Sequence, residues 1–292
     1  MQQRWLTVPL LFSLAFLSGC DIEEFGSSQR YQADFQESHP LKAGSRLYVE
    51  NSNGSIDITG WDQETADISG TKYASSEAAL AAVKIDILAS GDSLRIRTVR
   101  PSGHLGNLGA KYLIRVPRST VLERIESSNG AIRVHDINSS ARLETSNGAI
   151  ELLSVSGPVT LKTSNGSIRA DNVEKGIDAS TSNGPIRVGL GKLEDRRSVR
   201  LATSNGGVEF SVDDLRNSDV TVTTSNGPIT ARLPGALASE VKATTSNASV
   251  TNEFESEFHG DSRKNHLEGT IAGGGPLLTL KTSNGPIRLL KR

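Results

Sequence analysis

The 292-residue chain has one cysteine, one methionine and only 4% aromatic residues. A lone cysteine excludes an internal disulfide, so an exported fold must stand without one. The charge is as spare. Thirty-two Lys and Arg stand against 33 Asp and Glu, a formal net charge of −1, which leaves no electrostatic footprint for nucleic acid. After the N-terminus no run of 18 or more apolar residues occurs, so no internal membrane span is expected. Catalytic signatures are missing too. The five histidines form no His-x₃-His or His-Glu-x-x-His pattern, and no Gly-x-Ser-x-Gly elbow occurs.

The cysteine stands where one signal needs it. MQQRWLTVPLLFSLAFLSGC has Arg4 in a positive n-region, an apolar stretch from Leu6 to Leu17, and then Leu17-Ser18-Gly19-Cys20. That ending resembles a bacterial lipobox. The resemblance implies cleavage of residues 1–19 and lipidation of Cys20, with acyl chains above the two-chain threshold for stable anchoring. Asp21 resembles the signal that retains a lipoprotein on the inner membrane. The expected location is the periplasmic side of the envelope, the inner membrane being favoured over the outer. Residues 20–44 read as the lipidated N-terminus and a linker.

What the chain has in abundance is one turn. Ser-Asn-Gly occurs at Asn53, Asn129, Asn147, Asn165, Asn183, Asn205, Asn226 and Asn284, and Asn247 carries a Ser-Asn-Ala variant. From Asn129 to Asn247 the steps are 18, 18, 18, 22, 21 and 21 residues. Such a period marks a stacked, solenoid-like architecture. Three residues after each Asn stands Ile or Val, from Ile56 to Ile287. Five after it the residue is apolar except at Asn252, and the residues between are polar or charged. Four residues before each Asn the chain is again apolar. Each copy therefore reads as strand, corner, strand with one buried face.

Antiparallel hairpins would also use Asn-Gly, but they do not need the same Asn in every unit. A parallel stack does, because the Asn side chains then form a hydrogen-bonded ladder. An amide in mid-stack, such as Asn183, is expected to bond above and below among buried partners. Gly after Asn is read as supplying a positive φ at the corner, and the Ser before it as a corner hydrogen bonder. A hexapeptide solenoid fails, since a six-residue step from Ile150 lands on Ser156 and Lys162. The expectation is an all-β, parallel β-helix of stacked coils of about 18–22 residues, read as right-handed. One solenoid domain spans 45–292. Residues 61–120 are expected to be an irregular cap or insert, with a short helix within Ser75 to Val83, and 253–275 an irregular loop.

VENSNGSIDITGW at 49–61, YLIRVPRS at 112–119, the repeated corners and the closing LKTSNGPIRLL resemble a bacterial envelope family, the "putative adhesin" domains of unknown function. The resemblance covers roughly residues 45–290. It implies an exported β-helical protein and carries no catalytic residues with it.

The functional expectation is a non-enzymatic, membrane-tethered lipoprotein that presents its solenoid surface to an envelope protein or a polysaccharide. The alternatives are a β-helix enzyme acting on polysaccharide, or an accessory or sensor of envelope regulation. No cofactor, metal or nucleic acid is expected. His259, Asp261, His266 and Glu268 crowd one segment but read as a solvated loop. Gly273-Gly274-Gly275 reads as a plain turn, and Asp213-Asp214 as part of the loop before Asn217. The candidate surface is a mixed-charge ridge of Arg133, Glu151, Arg169, Arg187 and Glu209, one from each consecutive coil.

Overall fold

A computed structural model describes residues 31–100, 107–193 and 196–292. The expected lipidation and sorting residues, Cys20 and Asp21, lie outside the described residues. Alternation of apolar and polar residues produces short strands throughout, and these form two long sheets of 12 and 13 strands. Each repeat coil gives one strand to each sheet, with a Ser-Asn-Gly corner, or Ser-Asn-Ala at Asn247, between them. Neighbouring coils pair in parallel, as Ala141–Thr145 with Val159–Lys162 and Ile150–Val155 with Ile168–Val173. The fold is thus the expected parallel β-solenoid.

Register stacks identical positions. Ile132, Ile150, Ile168 and Ile186 lie directly above one another, all at most 1% exposed. Val49, Ile125, Leu143, Leu161, Ala179 and Leu201 line the opposite wall of the same core. Volumes compensate along the stack: Phe210 pairs with Val188 on one side and Ala231 on the other, so the ring occupies space its neighbours leave.

The coils are not stacked in chain order. The strands Ile229–Leu233 and Ile287–Lys291 pair directly, and Ile287–Lys291 pairs in turn with Val250–Asn252. The last coil of the sequence is therefore inserted beneath the one that precedes it. The N-terminal end repeats the device. Ile56–Trp61 lies between Gly109–Pro117 and Ile132–Ile137, so the first coil sits inside the coil formed by residues 93–117.

These excursions close the ends. Residues 61–120, expected as an irregular cap or insert, form a cap of regular elements. They contain the strand Thr65–Ala74, the helix Glu77–Ala82, the strand Lys84–Ser90, and the strands Ser93–Val99 and Gly109–Pro117 of an outer coil. The helix starts where Ser76 accepts a hydrogen bond from the Ala79 N–H, an N-cap. Thr65–Ala74 and Lys84–Ser90 pair antiparallel with the two strands of that outer coil. The linker expected over 20–44 is also corrected, because Tyr31–Pro40 forms an edge strand along Thr65–Ala74. Ala33, Phe35 and His39 are half-buried on one face, where Phe35 meets the Tyr112 ring edge-on, but Glu37 on that same face cuts the apolar alternation short in the sequence. At the other end, residues 253–275 hold the hairpin Phe258–Arg263 and His266–Ile271, paired to Ser239–Thr244. Covering strand edges in this way limits uncontrolled pairing with other chains. Asn252, the exception in the apolar column, belongs to the outermost coil at this end. Its Oδ1 accepts the Phe254 N–H, and Phe254 is fully buried at the end of the core.

Candidate functional site

The corner is the unit from which the surface is built. Each Asn donates its side-chain N–H to Oδ1 of the Asn in the adjacent coil. The bonds run Asn129 to Asn53, Asn147 to Asn129, Asn165 to Asn147, Asn183 to Asn165, Asn205 to Asn183, Asn226 to Asn205 and Asn284 to Asn226, all 2.7 Å. Asn247 donates to Asn284 at 2.6 Å, and Asn53 ends the series on the Leu108 carbonyl. All nine Asn therefore join one ladder, in stacking order rather than chain order.

The ladder differs from expectation in three respects. Its mid-stack amides are exposed, not buried. The buried polar residue is the Thr two positions before the Asn. Thr163 Oγ1 donates to the Gly148 carbonyl of the neighbouring coil at 2.9 Å and accepts the Gly166 N–H of its own corner at 3.2 Å. Thr145, Thr181, Thr203, Thr224 and Thr282 repeat both bonds. The Ser hydroxyls between Thr and Asn point to solvent. It is the Ser main-chain carbonyl that is used, accepting the Asn N–H of the next coil, as from Asn147 to Ser128 at 3.0 Å.

The glycines also serve a different need. A Cβ on Gly184 would stand 1.8 Å from the Gly166 carbonyl oxygen, and Gly148, Gly166 and Gly206 are equally crowded. None of these four has a positive φ. Glycine is required because stacked corners touch backbone to backbone. The Ser-Asn-Ala variant falls on the outermost coil, where Ala248 is half-exposed.

Between corners, the outer face of the 12-stranded sheet carries the ridge. Register aligns Asp57, Arg133, Glu151, Arg169, Arg187 and Glu209 in one column. The column neutralises itself. Arg133 pairs with Asp57 and with Glu151, both at 3.2 Å. Arg169 turns to Asp171 at 2.8 Å, Arg187 reaches Glu209 at 4.0 Å, and Glu209 also holds Arg232 at 3.0 Å. Hydrogen bonding to Asp57 raises the Arg133 pKa further. The charges of Arg169 and Arg187 in this mixed-charge ridge are thus largely compensated. Chain order conceals another cation in this column: Arg288 lies one coil beyond Thr230 and has no carboxylate partner among the described residues.

The other polar clusters are likewise engaged. Glu268 binds Lys242 at 3.0 Å and His266 at 3.2 Å, and the Lys242 ammonium holds its carboxyl below the usual range. Asp261 pairs with Arg263 at 2.6 Å. No group of three or more His, Cys, Asp or Glu able to hold a metal occurs among the described residues. Asp213 and Asp214 end a strand rather than occupying a loop, and pair with Arg292 at 2.6 Å and Arg216 at 3.1 Å. They border a shallow groove of about 520 Å³ with Lys192, Leu237 and Gly274.

Stacked Ser-Asn-Gly corners, two largely parallel sheets and capped ends define a class: a parallel β-solenoid with a side-chain amide ladder. Residues 39–290 match the Toastrack family, DUF4097, and the chain belongs to that family. No curated protein matches it. Among solved structures it is similar to a "putative lipid binding protein" from Parabacteroides distasonis, at 13% identity and TM-score 0.48, over 88% of this chain and 96% of that one. It is also similar to a "putative cell adhesion protein" from Clostridium sporogenes, at 12% identity and TM-score 0.31, over 89% and 100%. A "putative adhesin" from Bacteroides fragilis shares 13% identity at TM-score 0.27, over 89% and 97%. At such distances these names carry no argument about what this chain binds.

Proposed function

We propose that this protein is a non-enzymatic envelope lipoprotein whose solenoid flank is its interaction surface, facing an envelope protein or an acidic polysaccharide. The observation that carries the reading is the outer face of the 12-stranded sheet. Its side chains stand in straight columns at strand spacing, uncovered from Asp57 to Arg288, while cap strands occupy the N-terminal edges of both sheets and the C-terminal edge of the second. A rigid array of this kind costs little ordering entropy on binding. The tether comes from sequence. Residues 21–30 separate Cys20 from the first strand, so the body would stand within about 35 Å of the bilayer, its N-terminal cap toward the membrane. Asp21 supports inner-membrane retention. No helix among the described residues is long and apolar enough to cross a membrane.

The test uses purified protein, isolated envelope polysaccharide and membrane vesicles carrying the native envelope proteins. Replacing Arg133, Arg169, Arg187 and Arg288 together by Ser should leave the fold intact, since exposed ion pairs contribute about 0–1 kcal/mol each. Co-sedimentation or cross-linking should fall. Capture unchanged by all four substitutions would remove the ridge from the account. Separately, Cys20→Ala should release the protein from the membrane fraction after a high-salt wash.

A further inference from the structure

The chain contains eight Asn-Gly pairs, most of them with the Asn exposed. Asn-Gly is chemically fragile. The glycine nitrogen attacks Asn Cγ, the N–Cγ bond forms, and the Cγ–Nδ2 bond breaks. Nδ2 leaves as ammonia, carrying the proton from the glycine N–H. Water then opens the succinimide ring to aspartate or iso-aspartate. Attack needs a free glycine N–H and an Asn side chain able to swing back onto it.

Seven corners deny both. At Gly148, Gly166, Gly184, Gly206, Gly227 and Gly285 the N–H is donated to a buried Thr Oγ1 at 3.2–3.3 Å. At Gly130 the acceptor is Ser127 Oγ at 3.0 Å. All seven glycines are buried. Each preceding Asn is held on both sides, its Nδ2 donating to one neighbour and its Oδ1 accepting from another; Asn53 is held likewise, by Leu108 and Asn129, so the glycine N–H is what separates the corners.

Asn53-Gly54 is built differently. The position that holds Thr elsewhere is Asn51. Its Nδ2 donates to the Gly54 and Ala110 carbonyls at 3.0 and 2.8 Å, and its Oδ1 accepts from Thr98 at 3.0 Å. No side-chain acceptor remains for the Gly54 N–H, which has no hydrogen-bond partner among the described residues. Gly54 is half-buried, with φ +113°, unlike the other seven.

We infer that Asn53 is the deamidation site of the folded protein, and that the hydroxyl two residues before the Asn, Thr at six corners and Ser127 at the seventh, protects the other seven Asn-Gly pairs from the same reaction. The consequence is local. Conversion at Asn53 removes the Nδ2 donor to the Leu108 carbonyl, at present 2.8 Å away, and puts a carboxylate in its place. That loosens the outer coil of residues 93–117 from the stack.

The experiment is ageing of the purified protein at mildly alkaline pH, followed by peptide mapping with iso-aspartate detection. In the folded protein Asn53 should convert at least about tenfold faster than any other Asn-Gly site, the factor one net hydrogen bond supplies. In urea all eight should convert at similar rates. Eight similar rates in the folded protein, or Asn53 among the slowest, would overturn the inference. Thr163→Val adds an internal check, because it removes the acceptor of the Gly166 N–H. Asn165 should then accelerate toward the Asn53 rate in a protein that still unfolds cooperatively. An unchanged Asn165 rate in that variant would show that Thr is not the lock. If the variant does not fold, the eight wild-type rates decide alone.

Discussion

Asn284 donates its side-chain amide to Asn226 Oδ1 at 2.7 Å, although 58 residues of chain separate them. Asn147 does the same to Asn129 across 18. Contact geometry is set by the corner, not by the length of the loop that returns to it. Loop length is cheap by comparison, since each doubling adds only about 0.6 kcal/mol of closure entropy. The chain can therefore leave the stack, build a cap, and return one coil deeper.

Thr and Asn of the same corner should differ in their effect on stability. Thr181→Val strands the Gly166 carbonyl and the Gly184 N–H in a buried site, and should cost about 1–3 kcal/mol. Asn183→Ala breaks two exposed bonds that water replaces, and should cost about 1 kcal/mol or less. Urea midpoints of the two variants give the comparison. A larger loss for Asn183→Ala would mean that the amide ladder, not the Thr-Gly bonds, dominates.

Gly184→Ala forces a Cβ to within 1.8 Å of the Gly166 oxygen. Overpacking against backbone should cost about 3 kcal/mol or more. Gly191, with open space around its Cβ position, should tolerate Ala with little change in thermal midpoint. Similar midpoints for both variants would contradict the close approach of the corners.

Tyr112 is fully buried in the outer N-terminal coil, its hydroxyl 2.6 Å from Thr98 Oγ1. Burial pushes its pKa up to about 12, partly offset by the Thr98 bond. An unfolded tyrosine ionises near pH 10. Between those values the unfolded chain holds fewer protons than the folded one, so stability falls as pH rises. The loss should begin near pH 10 and approach about 2–3 kcal/mol at pH 12. Tyr112→Phe should flatten most of that slope; a slope unchanged in the variant would assign the alkaline loss elsewhere.

Thr120 Oγ1 is buried without a hydrogen-bond partner among the described side chains. Thr120→Val removes the orphaned hydroxyl at nearly constant volume. It should raise stability by roughly 1 kcal/mol, read as a higher thermal midpoint. A lower midpoint would show that the hydroxyl has a partner in solution.

Much of this was legible in the sequence because a stack repeats its constraints. Ile132, Ile150 and Ile168 occupy one column since each touches the next, and that contact writes itself as a period. Three things were not legible. Chain order hid the insertion of the 277–291 coil, because nothing local in Leu277–Lys281 records which strand it pairs with. The division of labour between Thr163 and Asn165 was hidden because both recur together, and only burial separates them. Arg288 was missed as a member of the ridge for the first of these reasons. Tyr31–Pro40 escaped because Glu37 and His39 follow Phe35 on the half-buried face, which leaves the apolar alternation too short to mark a strand.

The order of the stack is the claim on which ladder, ridge and capped ends all rest, and cross-linking tests it most directly. In a Cys20→Ser background, Thr230→Cys with Arg288→Cys places two thiols on adjacent coils, about 4.8 Å apart. Thr230→Cys with Thr251→Cys separates them by two coils, about 9.6 Å, beyond the reach of about 7 Å between bridged Cα atoms. Under mild oxidation the first pair should form an intramolecular disulfide and the second should not. A disulfide in the 230/251 pair and none in the 230/288 pair would mean that the coils follow chain order, and would contradict the account.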